Sequence, residues 1–237
     1  MLDTESITQS FREFLGGVQT GLPVAVGYVP IAIAFGTVAT KVHLSTLEAV
    51  LMSALVFAGA SQFMAAGMML TGAGGLQIVI ATLFINLRHL VMSMAVHHTV
   101  RKANRTWRAL LSFGITDETF ALLTLQGPRT QAHHTHLFAI GLTGIAYTGW
   151  VVGTAIGSLG AQIIPPSVSA SMTVGLYAMF IGLLMPHVRR SVRVALIAVV
   201  SMALNTVLIT VMSMGWAIVI STILGASFGL LLGESTS

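Results

Sequence analysis

A stripe of polar side chains runs along residues 76–98, a segment that is otherwise apolar. Its members recur every three or four residues and therefore share one helical face: Thr82, Asn86, His89, Ser93 and His97. Arg88 lies beside this stripe in the middle of the segment. At hydrocarbon depth an arginine is costly unless it is paired or hydrated, so its side chain must face protein or water. Two interpretations follow: the stripe lines a polar pathway, or Arg88 fixes helix packing by bonding to neighbouring carbonyls.

Two adjacent acids, Asp117 and Glu118, occur in a second short apolar segment. Thr116 lies on the polar face next to them. Carboxylates this close repel each other in a low-dielectric site, so one of them tends to keep a proton. Counting Arg88 as +1 and each acid as −1 gives −1, and one proton would neutralise the group. The pattern predicts proton coupling, or else a solvated helix end that holds one acid at headgroup level.

Two further segments combine polar groups with small residues or prolines. Gly59, Ser61 and Gln62 lie among small residues, which allow helices to approach closely and the polar pair to bond across an interface or to a ligand. Tyr28 stands between Pro23 and Pro30, and prolines leave helix carbonyls without partners. This spacing predicts a first helix that is broken or kinked, with backbone groups exposed near the middle of a membrane.

The composition shows which elements must position these residues. The chain has 237 residues, 55% of them hydrophobic and only 8% charged, whereas soluble domains average about 25% charged. So few charges cannot cover the surface of a soluble protein. The predicted fold class is therefore an all-α integral membrane protein, a polytopic bundle of about seven to eight transmembrane segments. The net charge of +4 comes from arginine clusters that indicate topology and not nucleic-acid binding.

Apolar stretches of about 20 residues predict the crossings. They cover 18–40, 49–70, 76–98, 109–126, 136–159, 168–187, 192–211 and 214–232. If all eight cross fully, ten basic residues divide five against five between the two sides, which fits the positive-inside bias poorly. If the segment 109–126 enters and leaves by the same face, nine of the ten lie on one side. We therefore predict that this fourth segment is re-entrant or broken; eight full crossings are the alternative.

The predicted organisation is a single domain with short ends. Residues 1–17 form an N-terminal interfacial segment, because Ile7, Phe11 and Leu15 fall on one helical face. Residues 18–233 form the polytopic transmembrane domain, and residues 234–237 form a C-terminal tail. No cysteine is present, and the paired histidines lack acidic neighbours, so neither a metal site nor a cofactor is predicted.

Three motifs resemble those of the AzlC-type proteins, which are the large subunits of bacterial branched-chain amino acid exporters. They occur in the family's order: Phe57-Ala58-Gly59-Ala60-Ser61-Gln62-Phe63, Asn86-Leu87-Arg88-His89 and Thr116-Asp117-Glu118-Thr119-Phe120-Ala121-Leu122. The resemblance implies a multi-pass permease of the bacterial cytoplasmic membrane. It also implies a small AzlD-type membrane subunit as partner.

The leading functional hypothesis is the export of branched-chain or other apolar amino acids by alternating access coupled to protons, with no enzymatic activity. Its predicted pathway residues are Tyr28, Gly59, Ser61, Gln62, Asn86, Arg88, His89, Ser93, Thr116, Asp117 and Glu118. An intramembrane serine protease is one alternative, with Ser61 as nucleophile and His89 or His97 as base. A structural or regulatory membrane subunit without its own pathway is the other.

Overall fold

The computed structural model describes residues 4–96, 104–125, 136–165, 188–212 and 214–232, and nine scattered positions between 167 and 185. All regular secondary structure in these residues is helical. Three of the described helices are long and apolar enough to cross a membrane: Ile7–Lys41, Gly75–Val96 and His136–Leu159. The chain therefore has the predicted all-α membrane fold.

Helix α1, Thr4–Lys41, is continuous, and the prediction of a broken first helix is wrong. It passes through Pro23 and Pro30 without ending. Prolines are tolerated in membrane helices when neighbouring helices support the freed backbone groups, and α1 packs along most of its length against one partner. It also runs unbroken past residue 17, so no helix end marks the predicted boundary there. At about 1.5 Å per residue its 38 residues extend roughly 57 Å, well beyond a hydrocarbon core about 30 Å thick.

The break occurs instead in the second predicted crossing. Helix α2, Thr46–Val56, ends at Phe57, whose φ of 43° lies in the left-handed region. Helix α3, Gly59–Leu70, begins two residues later. A capping box formed by Ser45 and Glu48 starts α2, whereas no side chain caps the start of α3. Because each half is about 17 Å long, the interruption falls near the middle of a bilayer.

The fourth predicted crossing is broken in the same way. After helix α4, Gly75–Val96, come two nine-residue helices, α5, Arg105–Phe113, and α6, Asp117–Leu125. Each is about 14 Å long, less than half of the hydrocarbon core. The break that the charge distribution predicted is therefore present. Re-entrance through one face stays a prediction.

The core is the pairing of α1 with helix α7, His136–Leu159. Glycines bring the two backbones together: a Cβ at Gly157 would collide with the Ile33 carbonyl oxygen, and one at Gly36 with that of Thr154. Helices α8, Val192–Leu208, and α9, Met214–Leu231, pack against each other farther along the chain. The sixth predicted crossing, 168–187, lies mostly outside the described residues.

Candidate functional site

A small cavity lies where the two helix breaks meet α1, α4 and α7. Its walls come from five parts of the chain: Tyr28, Phe57, Ala58, Gly59, Ala60, Arg88, His89, Thr116, Asp117, Glu118 and Trp150. The cavity volume is about 30 Å³. A buried water needs about 10–15 Å³ by this measure, so the space holds about two waters. The site is thus a narrow polar cavity inside an apolar bundle.

Arg88 and Asp117 form an ion pair across this cavity. Arg88 Nη1 lies 2.7 Å from Asp117 Oδ2, and the two side chains are 32% and 23% exposed. The pair joins α4 to the first turn of α6. The arginine therefore faces protein, and its partner is an acid from a different helix. This contact neutralises one of the two adjacent carboxylates.

Among the residues that the structure describes, a phenol and not a cation holds Glu118. Tyr28 Oη contacts Glu118 Oε2 and also lies 2.7 Å from Thr116 Oγ1. Because a phenol carries a single hydrogen, it can donate to only one of them at a time. Glu118 Oε1 is buried and has no hydrogen-bond partner in the described part of the chain. The second acid thus keeps one oxygen free inside the bundle.

The local sequence explains why α6 presents both acids to the cavity. The Thr119 hydroxyl accepts from the Thr116 amide, and the Thr119 amide donates back to the Thr116 hydroxyl. This reciprocal bonding fixes the start of the helix, as a capping box does. Asp117 and Glu118 then occupy the first turn, where the helix dipole favours negative charge. The dipole therefore stabilises the ionised acids that burial opposes.

A buried hydrogen-bond network supports the first break, and of its members only Gln62 was singled out from the sequence. Gln62 Oε1 accepts from Trp150 Nε1 at 2.9 Å, and Gln62 Nε2 donates to Ser53 Oγ at 2.9 Å. Ser53 Oγ in turn lies 2.7 Å from Thr154 Oγ1. The network ties α2 and α3 to α7. The signal in the sequence for this network was the presence of Ser53 and Thr154 in apolar helices, but neither residue belongs to a polar stripe.

Gly59 and Phe57 show how tightly this break is packed. A Cβ at Gly59 would lie 2.6 Å from the Trp150 ring, so the glycine makes room for the indole. Phe57 packs edge-on against Tyr147, with ring centroids 5.1 Å apart, and also meets Phe113 at the end of α5. The Tyr147 hydroxyl donates to the Ala54 carbonyl in the last turn of α2. Aromatic side chains thus join the two broken crossings.

The structure brings together most of the predicted pathway residues. Seven line the cavity: Tyr28, Gly59, Arg88, His89, Thr116, Asp117 and Glu118. Gln62 contacts the lining residue Trp150, and Asn86 Nδ2 donates to Ser61 Oγ at 3.2 Å. Ser93 is half-buried and does not line the cavity, and His97 lies outside the described residues. Their functional roles stay predictions.

The described contacts of Ser61 do not match the nucleophile that a serine protease needs. Its hydroxyl donates to the Ala58 carbonyl at 2.9 Å and accepts from Asn86. A nucleophilic serine needs a base within hydrogen-bond reach, and Asn86 is not a base. Ser61 therefore acts here as a link between α3 and α4.

Comparison with known proteins gives the family. Residues 23–164, more than half of the chain, match the family described as AzlC protein. The inner membrane protein YgaZ of Escherichia coli is 30% identical over 181 residues, covering 75% of this chain and 74% of YgaZ. An uncharacterized membrane protein of Archaeoglobus fulgidus is 33% identical over 77% of this chain and 80% of its own length.

A more distant relative has a name that states a role. The branched-chain amino acid transport protein AzlC of Bacillus subtilis is 27% identical over 64% of this chain and 59% of its own length. No solved structure matches the chain. The motifs, the broken helices and these relatives lead to one conclusion: the chain is a multi-pass membrane protein with a transport role and belongs to the AzlC family.

Proposed function

We propose that this protein exports branched-chain amino acids across the bacterial cytoplasmic membrane. It does so by alternating access and in exchange for protons, together with a small AzlD-type membrane subunit. One observation carries the proposal: charged side chains from α4 and α6 surround a cavity at the junction of two broken crossings. In transporters, such interruptions expose backbone groups and half-helix ends to a substrate near the midplane.

The cavity offers complementary groups for both ends of an amino acid. The start of α3, at Gly59 and Ala60, has no side-chain cap, so its backbone amides suit a carboxylate. Across the cavity, the free oxygen of Glu118 suits an ammonium group. The rings of Phe57 and Trp150 supply apolar contact for a branched side chain. Together these groups favour a small zwitterion with an apolar side chain.

Binding requires the cavity to expand. A space of about 30 Å³ accommodates two waters, whereas small-molecule sites measure about 300–1,000 Å³. The half-helices on either side of the breaks are short, so they can shift against the continuous α1 and α7. Movement at the two breaks therefore opens the site towards one side of the membrane or the other.

Export of labelled leucine from preloaded cells tests the proposal. Cells lacking their own exporters should release leucine faster when they produce this chain with its small partner than when they produce neither. Producing each subunit alone tests the dependence on the partner. Arg88→Gln should lower the export rate at least tenfold, whereas Arg12→Gln, which alters an exposed arginine far from the cavity, should leave it unchanged.

The outcomes separate this proposal from its alternatives. Equal leucine release with and without the two proteins, under conditions where both insert in the membrane, would contradict it and favour a structural or regulatory subunit. If Ser61→Ala preserved export and abolished cleavage of a membrane peptide, the protease hypothesis would regain support.

A further inference from the structure

We infer that Glu118 is the group that binds the coupling proton, and that the proton and the substrate's ammonium group compete for its carboxylate. This inference rests on the proposed function, because it explains how export is coupled to proton entry. It distinguishes between two neighbouring acids that the sequence alone leaves equivalent.

The ion pair removes Asp117 from consideration. Its carboxylate lies 2.7 Å from the Arg88 guanidinium, and a proton bound there would cost the protein this ion pair. Breaking a partly buried pair from one side is far costlier than keeping it ionised. The Asp117 carboxylate is therefore already matched by the Arg88 guanidinium, and the two charges cancel each other.

Glu118 has the surroundings of a site that can be either charged or neutral. The titratable and charged groups facing it are Tyr28 from α1, Arg88 and His89 from α4, and Asp117 on its own helix. The α7 side chain at the cavity, Trp150, does not titrate. Arg88 is engaged by Asp117, and within the described chain no basic group lies at ion-pair distance from Glu118.

Both states of Glu118 have specific support. The Tyr28 hydroxyl and the first turn of α6 stabilise the carboxylate. Burial stabilises the carboxylic acid, and Oε1, which has no partner, is the atom where the proton attaches. When the site faces the cytoplasm, the O–H bond on Oε1 breaks, its proton passes to water and the ammonium group of the amino acid takes its place. At the outer face the amino acid leaves and water returns a proton.

Proton release on leucine binding tests the inference. The full chain with its small partner is purified in detergent, and leucine is titrated calorimetrically in two buffers of different ionisation enthalpy. The wild type should release about one proton per leucine, and its Kd should rise about tenfold per pH unit on the acid side. Glu118→Gln should release none, and any binding that survives should not depend on pH. The matched control is Glu48→Gln, at an exposed position where glutamine also completes a capping box.

A second variant separates the two acids. Replacing both members of the ion pair, Arg88→Gln with Asp117→Asn, removes one positive and one negative charge together, so neither charge is left without the other. Transport should slow, but about one proton should still leave per leucine bound. Loss of proton release in this double variant, or its persistence in Glu118→Gln, would overturn the inference, as would loss in His89→Gln alone.

The same assays distinguish failure of the inference from failure of the proposed function. A wild type that binds and exports leucine without releasing protons contradicts the role of Glu118 and leaves export intact. A wild type that neither binds nor exports any branched-chain amino acid contradicts the proposed function itself. Gel filtration of every variant shows whether the fold has been retained.

Discussion

The α1–α7 pair and the two broken crossings are built on opposite physical principles. Between α1 and α7, glycines have no side chain and so let the two backbones come into contact, and both helices are continuous. The broken crossings are short half-helices joined by polar and aromatic contacts. At one break, the backbone of Phe57 has a left-handed conformation. Close backbone packing resists movement, whereas interrupted helices can move at their breaks. We infer that α1 and α7 form a rigid frame, and that the charged site at the two breaks can move against this frame.

The interactions that stabilise the frame also differ from those that stabilise the site. In a bilayer, helix association depends on close van der Waals contact, which the glycine-lined frame maximises. The site instead holds charges whose removal from water is costly and which are offset only by specific partners. Substitutions in the frame should therefore affect assembly, and substitutions in the site should affect transport in a protein that still assembles.

The largest effect is expected from a side chain added to the frame. Gly157→Leu places atoms where the Ile33 carbonyl lies, so α1 and α7 cannot keep their distance. We expect loss of folded protein from the membrane, measured by fluorescence-detected gel filtration. The matched control is Gly144→Ala on the same helix, where an added Cβ meets nothing within 4 Å and stability should be unchanged or slightly higher. Normal yield of Gly157→Leu would show that the frame is not rigid.

The next effect concerns the charged site. Arg88→Gln leaves Asp117 without its cation, and fully buried pairs broken from one side lose about 3–5 kcal/mol. Because these side chains are 32% and 23% exposed, we expect a smaller loss of about 1–3 kcal/mol in unfolding free energy. Adding Asp117→Asn should restore part of that stability. A double-mutant cycle by thermal denaturation measures the coupling, and strictly additive losses would contradict a direct ion pair.

Much of this organisation was predictable from the residues. Composition and apolar length gave the membrane fold, and the predicted crossing 136–159 coincides with α7, His136–Leu159. The distribution of basic residues pointed to a break in the fourth segment, because eight full crossings would divide those residues equally between the two sides. These features depend on local composition, which the sequence displays directly.

Other features depend on three-dimensional packing and were not predictable. Two prolines suggested a broken first helix, but support from α7 keeps α1 continuous. The second crossing has no proline and yet breaks at Phe57, and the Trp150 indole beyond the break binds Gln62 of α3. The pairing of Arg88 with Asp117 and of Tyr28 with Glu118 likewise requires knowing which helices are neighbours.

A moderate effect is expected at Gln62, through which α3, beside the site, is bonded to α7 of the frame. Gln62→Leu removes the acceptor of the buried Trp150 indole N–H and the donor to Ser53 Oγ, which keeps its contact with Thr154. The orphaned indole N–H costs about 1–3 kcal/mol, so we expect a stability loss of about that size and slower transport. Trp150→Phe combined with Gln62→Leu should cost less than the sum of the two single changes. Thermal denaturation of the four proteins checks this, and full additivity would mean that the two side chains do not interact.

The smallest effect is expected at the outer end of a half-helix, where the capping box of α2 lies far from any charge in the cavity. The Glu48 carboxylate accepts from the Ser45 amide at 2.8 Å, and Ser45 Oγ accepts from the Glu48 amide. Ser45→Ala removes this cap, for which the typical loss is about 1 kcal/mol. Leucine should still release about one proton on binding, because the exchange at Glu118 does not involve this end of the helix. If the proton count changed while the melting temperature fell only slightly, the start of α2 would belong to the moving site, and the division between frame and site would have to be redrawn.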